Sequence, residues 1–122
     1  MAVLLTRTEG EVFVVEFTDA QILDENKISQ INDELIAALD KCPSDKLLLN
    51  FKNVKFMSSS VLGRLVHLSK KCKAEKIQLK LCNISPDIME VFRITRLNKI
   101  FTICDSEADA IDEFAKSGWK FG

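Results

Sequence analysis

Three adjacent hydroxyls, Ser58, Ser59 and Ser60, sit inside the run FKNVKFMSSSVLGRLVHLSKK, between a stretch with strand character and a stretch with helix character. Such a triplet has three readings: a nucleophile, a site of modification, or the polar punctuation that starts a helix. A serine nucleophile needs a general base within hydrogen-bond reach, and the sequence contains one histidine, His67, eight residues beyond Ser59. On one helix that separation is about 12 Å along the axis, too far for direct proton transfer. There is no G-x-S-x-G elbow either. The residue types exclude a serine hydrolase built on the triplet, and His67 reads as a surface or partly packed helix residue.

Other reactive side chains fare no better. Cys42, Cys72, Cys82 and Cys104 are dispersed without a C-x-x-C, so no zinc site and no redox dithiol is expected, and they read as small apolar residues kept reduced. The four glycines form neither a Walker loop nor a dinucleotide fingerprint, so any kinase chemistry must belong to another protein. The acids of DSEADAIDE lack the turn glycine and ligand spacing of a calcium loop and read as a solvated helix face. No metal and no cofactor is expected. Lys70, Lys71, Lys73, Lys76 and Lys80 are the densest basic cluster, yet no aromatics interleave with them and Glu75 stands among them. With 17 basic against 18 acidic residues and a net charge of -1, nucleic acid is not an expected partner. Met57, Met89, Phe92, Leu97 and Phe101 either border an apolar contact patch or, more simply, fill the core.

The elements that must position the triplet follow from periodicity. Two β-rich runs, Val3 to Arg7 and Glu11 to Phe17, flank a turn at Glu9-Gly10 and predict an antiparallel hairpin. Ile28, Ile31, Leu35, Ile36 and Leu39 form one apolar stripe on a helix with Asp24 as N-cap and Cys42-Pro43 at its end. The continuous apolar run KLLLNF predicts a strand covered on both faces. A helix from the triplet onward places Leu62, Leu65, Val66, Ser69 and Cys72 inward or at intermediate depth, with lysines at its C-terminal end where the dipole favours them. KIQLKLCNI is a further strand, SPDIMEVFRI a helix with Ser85 as cap and Pro86 at its first position, and KIFTIC a strand. DSEADAIDEFAKSG is a closing helix capped by Asp or Ser and ended by Gly118. The order β-β-α-β-α-β-α-β-α predicts an α/β single domain over residues 1–122, with right-handed crossovers and a mostly parallel sheet. A 47% hydrophobic content is enough for one packed core. The N-terminus carries no signal-peptide pattern and no apolar run approaches the roughly 20 residues of a membrane span, so a cytoplasmic location is expected.

A helix N-terminus has free N–H groups and the positive end of the macrodipole. One serine of the triplet can serve as N-cap, a contribution of about 1 kcal/mol, which leaves two hydroxyls without that role. A phosphate would meet a ready anion site there and would place about two negative charges on an exposed corner, repelling a docked partner.

The element order, together with LLLNFKNVKFMSSSVLGRLVHLSKKCK, resembles the STAS domain family of anti-sigma factor antagonists, with the match running over roughly residues 3 to 115. ILDENKISQINDELIAAL and NISPDIMEVFRITRLNKIFTICDSEADAI resemble the family's first helix and its later elements. The resemblance implies a STAS-type fold with helices mainly on one face of the sheet. It also implies a non-enzymatic role: binding an anti-sigma factor that is also a serine kinase, release on phosphorylation, and resetting by a serine phosphatase. The family's acceptor serine falls on Ser59, with Ser58 and Ser60 as alternatives, and the docking surface on Met57, Ser58, Ser59, Ser60, Val61 and Gly63. Ser58 and Asn50 stand where the family typically has acids, and Val61 where it has glycine. A STAS-type scaffold that is never phosphorylated is the alternative, and a small-molecule sensor or enzyme a third. The terminal SGWKFG is outside the family pattern, with Trp119 and Phe121 either packing back or extending a contact surface.

Overall fold

The computed structural model describes residues 4–42 and 44–118, so Pro43, Trp119 and Phe121 lie outside the described residues. Strands β1 (Leu4–Glu9) and β2 (Val12–Phe17) pair antiparallel, from Leu4 opposite Phe17 to Glu9 opposite Val12. Gly10 closes the hairpin at φ +61°, a left-handed conformation in which a side chain would be strained. The chain continues through β3 (Gln21–Ile22), α1 (Glu25–Asp40), β4 (Lys46–Asn50), β5 (Phe56–Met57) and α2 (Ser59–Ala74). It then forms β6 (Gln78–Cys82), α3 (Pro86–Ile94), a 3-10 turn at Leu97–Lys99, β7 (Thr102–Cys104) and α4 (Glu107–Gly118).

The main sheet has the order β1-β2-β4-β6-β7, parallel throughout except at the hairpin. Each β-α-β unit places its new strand beside the previous one, as an alternating sequence requires. The alternation of side chains sorts the core. Val15, Phe17, Leu47, Leu49 and Leu81 point to the face covered by α1, α2 and α3, while Val12, Val14, Leu48 and Cys82 point to α4. Three helices on one face and one on the other agree with the expected architecture. Because β4 sits centrally, Leu47, Leu48 and Leu49 are all 0% exposed, which explains why KLLLNF lacks polar alternation.

Two short features escape periodicity. β3 and β5 form a separate two-stranded parallel ribbon, Gln21 opposite Phe56 and Ile22 opposite Met57, and two residues are too few to show a repeat. The expected strand KIFTIC begins only at Thr102, since Leu97–Lys99 winds as a 3-10 turn entered by Arg96 at φ 61°.

Lys80 departs from the expected surface cluster. It belongs to β6, is buried, and holds its Nζ 5.0 Å from the centroid of the Phe114 ring, a cation–π contact beneath α4. Phe114 is therefore the anchor of α4, together with Ala110. Phe114→Ala is expected to destabilise the domain by about 3–5 kcal/mol, measured by urea unfolding, because it empties the smaller core and removes the ring from Lys80.

Candidate functional site

The path from β4 to α2 is held at each step by the backbone. After Asn50, Phe51 N–H bonds to the Cys82 carbonyl at 3.0 Å, and the Phe51 ring stacks at 4.6 Å on Phe17. Val54 N–H returns to the Phe51 carbonyl at 2.9 Å, Lys55 and Phe56 N–H both reach the Ala20 carbonyl, and Ser58 N–H reaches the Ile22 carbonyl at 3.0 Å. The small ribbon thus delivers the chain to the first residue of α2 with little freedom.

The three serines have three different environments. Ser58 occupies the N-cap position with extended backbone, φ -78° and ψ 162°, but makes no side-chain cap hydrogen bond, and its Oγ is buried without a partner. Ser60 is exposed, and its Oγ donates to Glu25 Oε1 at 3.1 Å, tying the start of α2 to the start of α1. Ser59 is exposed, and its hydroxyl forms no hydrogen bond among the described residues. It also lines a small apolar cavity of about 210 Å³ with Met57, Leu62, Ile88 and Val91. Gly63, one helical turn on from Ser59, is exposed and lines a polar groove with Glu25, Asn32, Ser60, Arg64 and His67.

Val61 does not share that surface. It is 2% exposed and belongs to the main core, because the third position of the helix faces the sheet. It supports the corner from beneath. His67 is exposed one face away, as its spacing from Ser59 requires, and no base stands beside Ser59 among the described residues.

The α3 side of the cavity was not legible in the spacing of the triplet. Ile88 and Phe92 point inward, yet Val91 is 42% and Ile94 73% exposed, and Phe56 next to Met57 is 51% exposed. Apolar residues on the outer side of an amphipathic helix are the signal that marks this edge. Phe92, Leu97 and Phe101 resolve to core, with Phe92 and Phe101 rings 5.9 Å apart.

Asn50 has a structural task of its own. Only 2% exposed, it donates through Nδ2 to Glu107 Oε1 at 3.0 Å and accepts at Oδ1 from Lys52 N–H at 2.9 Å and Asn83 Nδ2 at 3.1 Å. Glu107, in the first turn of α4, also pairs with Arg7 of β1. The Arg7 contact and the Asn50 donor hold the Glu107 carboxyl below its ordinary value. An acid at position 50 would face Glu107 with like charge and no proton to donate, so asparagine suits this neighbourhood.

The four cysteines are free thiols. Burial pushes Cys72 up to about 11 and Cys82 up to about 12, and raises Cys104 as well, which makes them poor nucleophiles. Among the described residues there is no cluster of three or more potential metal ligands and no helix long and apolar enough to cross a membrane.

The fold and the corner have a counterpart among known proteins, since the STAS domain model matches residues 4–110. The chain belongs to the STAS domain family. A curated STAS relative, the anti-sigma F factor antagonist of Paenibacillus polymyxa, is 25% identical over 111 residues, covering 91% of this chain and 86% of that protein. A solved STAS protein from Planctomyces limnophilus, described as an anti-sigma-factor antagonist, superposes with a TM-score of 0.78 at 24% identity, covering 90% of this chain and 95% of that one. The Bacillus cell fate determinant SpoIIAA in its phosphorylated form superposes with a TM-score of 0.67 at 21% identity, covering 91% of this chain and 98% of that one.

Two outcomes follow from the geometry of this STAS domain. Replacing an N-cap serine by alanine ordinarily costs about 1 kcal/mol, through loss of the cap bond. Ser58 makes no such bond and buries an unpaired hydroxyl, so Ser58→Ala should leave thermal stability unchanged or raise it. Glu107 has a folded pKa below its ordinary 4.5, so its stabilising contribution is complete above that value and is lost as pH falls through the lower folded value. Unfolding free energy measured against pH should therefore decline in the window below 4.5, and Arg7→Ala should flatten that decline.

Proposed function

We propose that this STAS protein is an anti-sigma factor antagonist that docks through the corner from Met57 to Gly63 and is released by phosphorylation of Ser59. Its partner is an anti-sigma factor that is also a serine kinase, and a serine phosphatase resets it. The observation that carries the reading is the sorting of the triplet: the half-buried Ser58 has its hydroxyl oxygen shut off from solvent, Ser60 is bonded to Glu25, and Ser59 is exposed with its hydroxyl unengaged among the described residues. The names of the relatives support the antagonist role, and a relative of the same fold has been solved in a phosphorylated form.

The chemistry assigned to this chain is that of a substrate. The Ser59 oxygen attacks the γ-phosphorus of ATP held by the kinase, the bond to ADP breaks, and the hydroxyl proton passes to a base of the kinase. The product phosphate lies at the N-terminus of a 16-residue helix whose first turn holds no acid, so its N–H groups and dipole stabilise the charge. The same phosphate stands at the rim of the apolar cavity lined by Met57, Leu62, Ile88 and Val91. A partner side chain seated in that cavity would have to desolvate a dianion, which is costly enough to end the complex. Stability of the free domain and loss of the partner thus come from one group.

The alternative of a STAS module that is never phosphorylated is favoured by one feature, the neutral Ser58 and Asn50 at the two positions where the family typically has acids. Incubation with the cognate anti-sigma kinase, ATP and magnesium, followed by site-mapped mass spectrometry, separates the two. Phosphate on Ser59 is expected; none on Ser58, Ser59 or Ser60 would establish the scaffold. In calorimetric titration Ser59→Ala should bind the unphosphorylated-state partner like the parent, and Ser59→Asp at least about tenfold more weakly. Equal binding by both variants would remove the corner from the interface.

A further inference from the structure

Gly63 is an exposed glycine inside α2, and nothing in the described chain requires it. Its φ is not positive, and a Cβ added there would meet no atom within 4 Å beyond its own helix backbone. Glycine is the weakest helix former apart from proline, so alanine would serve the isolated domain better. The missing Cβ leaves the helix backbone open to close approach from outside.

The surroundings indicate what that is. Gly63 lines a groove of about 430 Å³ between the N-terminal halves of α1 and α2, with Glu25, Asn32, Ser60, Arg64 and His67. Glu25, the one acid of the groove, accepts from the Ser60 hydroxyl. Arg64 forms no ion pair among the described residues. From Ser59 to Ala74 the helix carries Arg64, Lys70, Lys71 and Lys73 and no acid, and among the described residues Lys71 alone of these has an ion-pair partner, Glu75 at 3.2 Å. A bare stretch of backbone is thus followed along α2 by uncompensated cationic side chains.

We infer that the groove over Gly63 seats an acidic segment of the protein partner, with its backbone crossing α2 at Gly63 and its carboxylates meeting Arg64 and Lys70. This rests on the antagonist reading and specifies the chemistry of the segment that the partner brings. The groove is continuous with the proposed docking corner, since Ser60 and Gly63 belong to both. The two halves of the contact have separate tasks. The apolar cavity beside Ser59 senses the phosphate, while the groove and the cations that follow it along α2 set the register and the salt sensitivity of binding.

The test uses the full chain and its cognate anti-sigma factor. Gly63→Ala should raise the melting temperature, because alanine is the better helix former, yet weaken the complex about tenfold through the intruding methyl. Arg64→Glu should weaken it by a similar factor at low salt and reduce its salt dependence. If Gly63→Ala and Arg64→Glu bind like the parent while Ser59→Asp does not, the groove is not the seat, and the antagonist reading stands without it. If the anti-sigma factor does not bind the parent, the antagonist reading falls, and an NMR titration with a polyglutamate peptide decides the groove separately. Amide shifts at Ser60, Gly63, Arg64 and His67 that Arg64→Glu abolishes support it; shifts absent, or spread over Lys41, Lys52 and Lys116, overturn it. Self-association in analytical ultracentrifugation that Arg64→Glu abolishes would make a second copy the occupant and also overturn it.

Discussion

Burial of β4 on both faces is the constraint on which the rest of the structure depends. Leu47 and Leu49 fill the core beneath α1 and α2, and Leu48 fills the core beneath α4, so the strand has no solvent face to slip towards. Its neighbours β2 and β6 then supply the backbone partners that a buried strand must have. A one-residue shift of β4 would place Asn50 and Lys46 wrongly on both layers at once. The C-terminal end of β4 is accordingly a fixed point, and the loop to α2 is measured from it.

From that fixed point two polar devices carry position outward. Asn50 joins the end of β4 to β6 through Asn83 and to α4 through Glu107, whose second partner, Arg7, belongs to the hairpin. The β3–β5 ribbon then turns the chain so that Ser58 N–H meets the Ile22 carbonyl, and α2 starts one residue later. The corner is exposed yet held from behind by Val61, Leu62 and Leu65, all buried. The phosphoserine switch proposed for this corner would need such a rigid seat, because a phosphate that merely displaced a loose loop would not obstruct a partner.

Much of this was legible in the residues. The order of the main elements, the hairpin at Gly10, the Ser85 cap, an Asp or Ser cap on the last helix that falls to Ser106, and the inward or intermediate placing of Leu62, Leu65, Val66, Ser69 and Cys72 follow from periodicity and capping chemistry, which are local. The exposure of Ser59 was expected from its place at a helix start, and the position of His67 from the helical rise alone. The two-residue strands were not legible, because their pairing is set by a contact between distant segments and not by their own composition. Lys80 reads as a surface lysine beside other lysines, and only the alternation of β6 within a covered sheet turns it towards Phe114.

The amino-acid sequence by itself determined the class of the domain, the order of its main strands and helices, and the presence of hydroxyls at a helix N-terminus with no histidine in reach. Those are consequences of short-range spacing, which survives in any one-dimensional reading. Only the tertiary structure decided which hydroxyl is free, since that depends on Glu25 reaching across from α1 to Ser60 and on the packing that closes over Ser58. It also decided that Asn50 is a hub and not merely a lost charge, and that Val91 of α3 stands beside Ser59. Each of these joins residues far apart in the chain, and the energy that selects them is the burial of β4 between two cores.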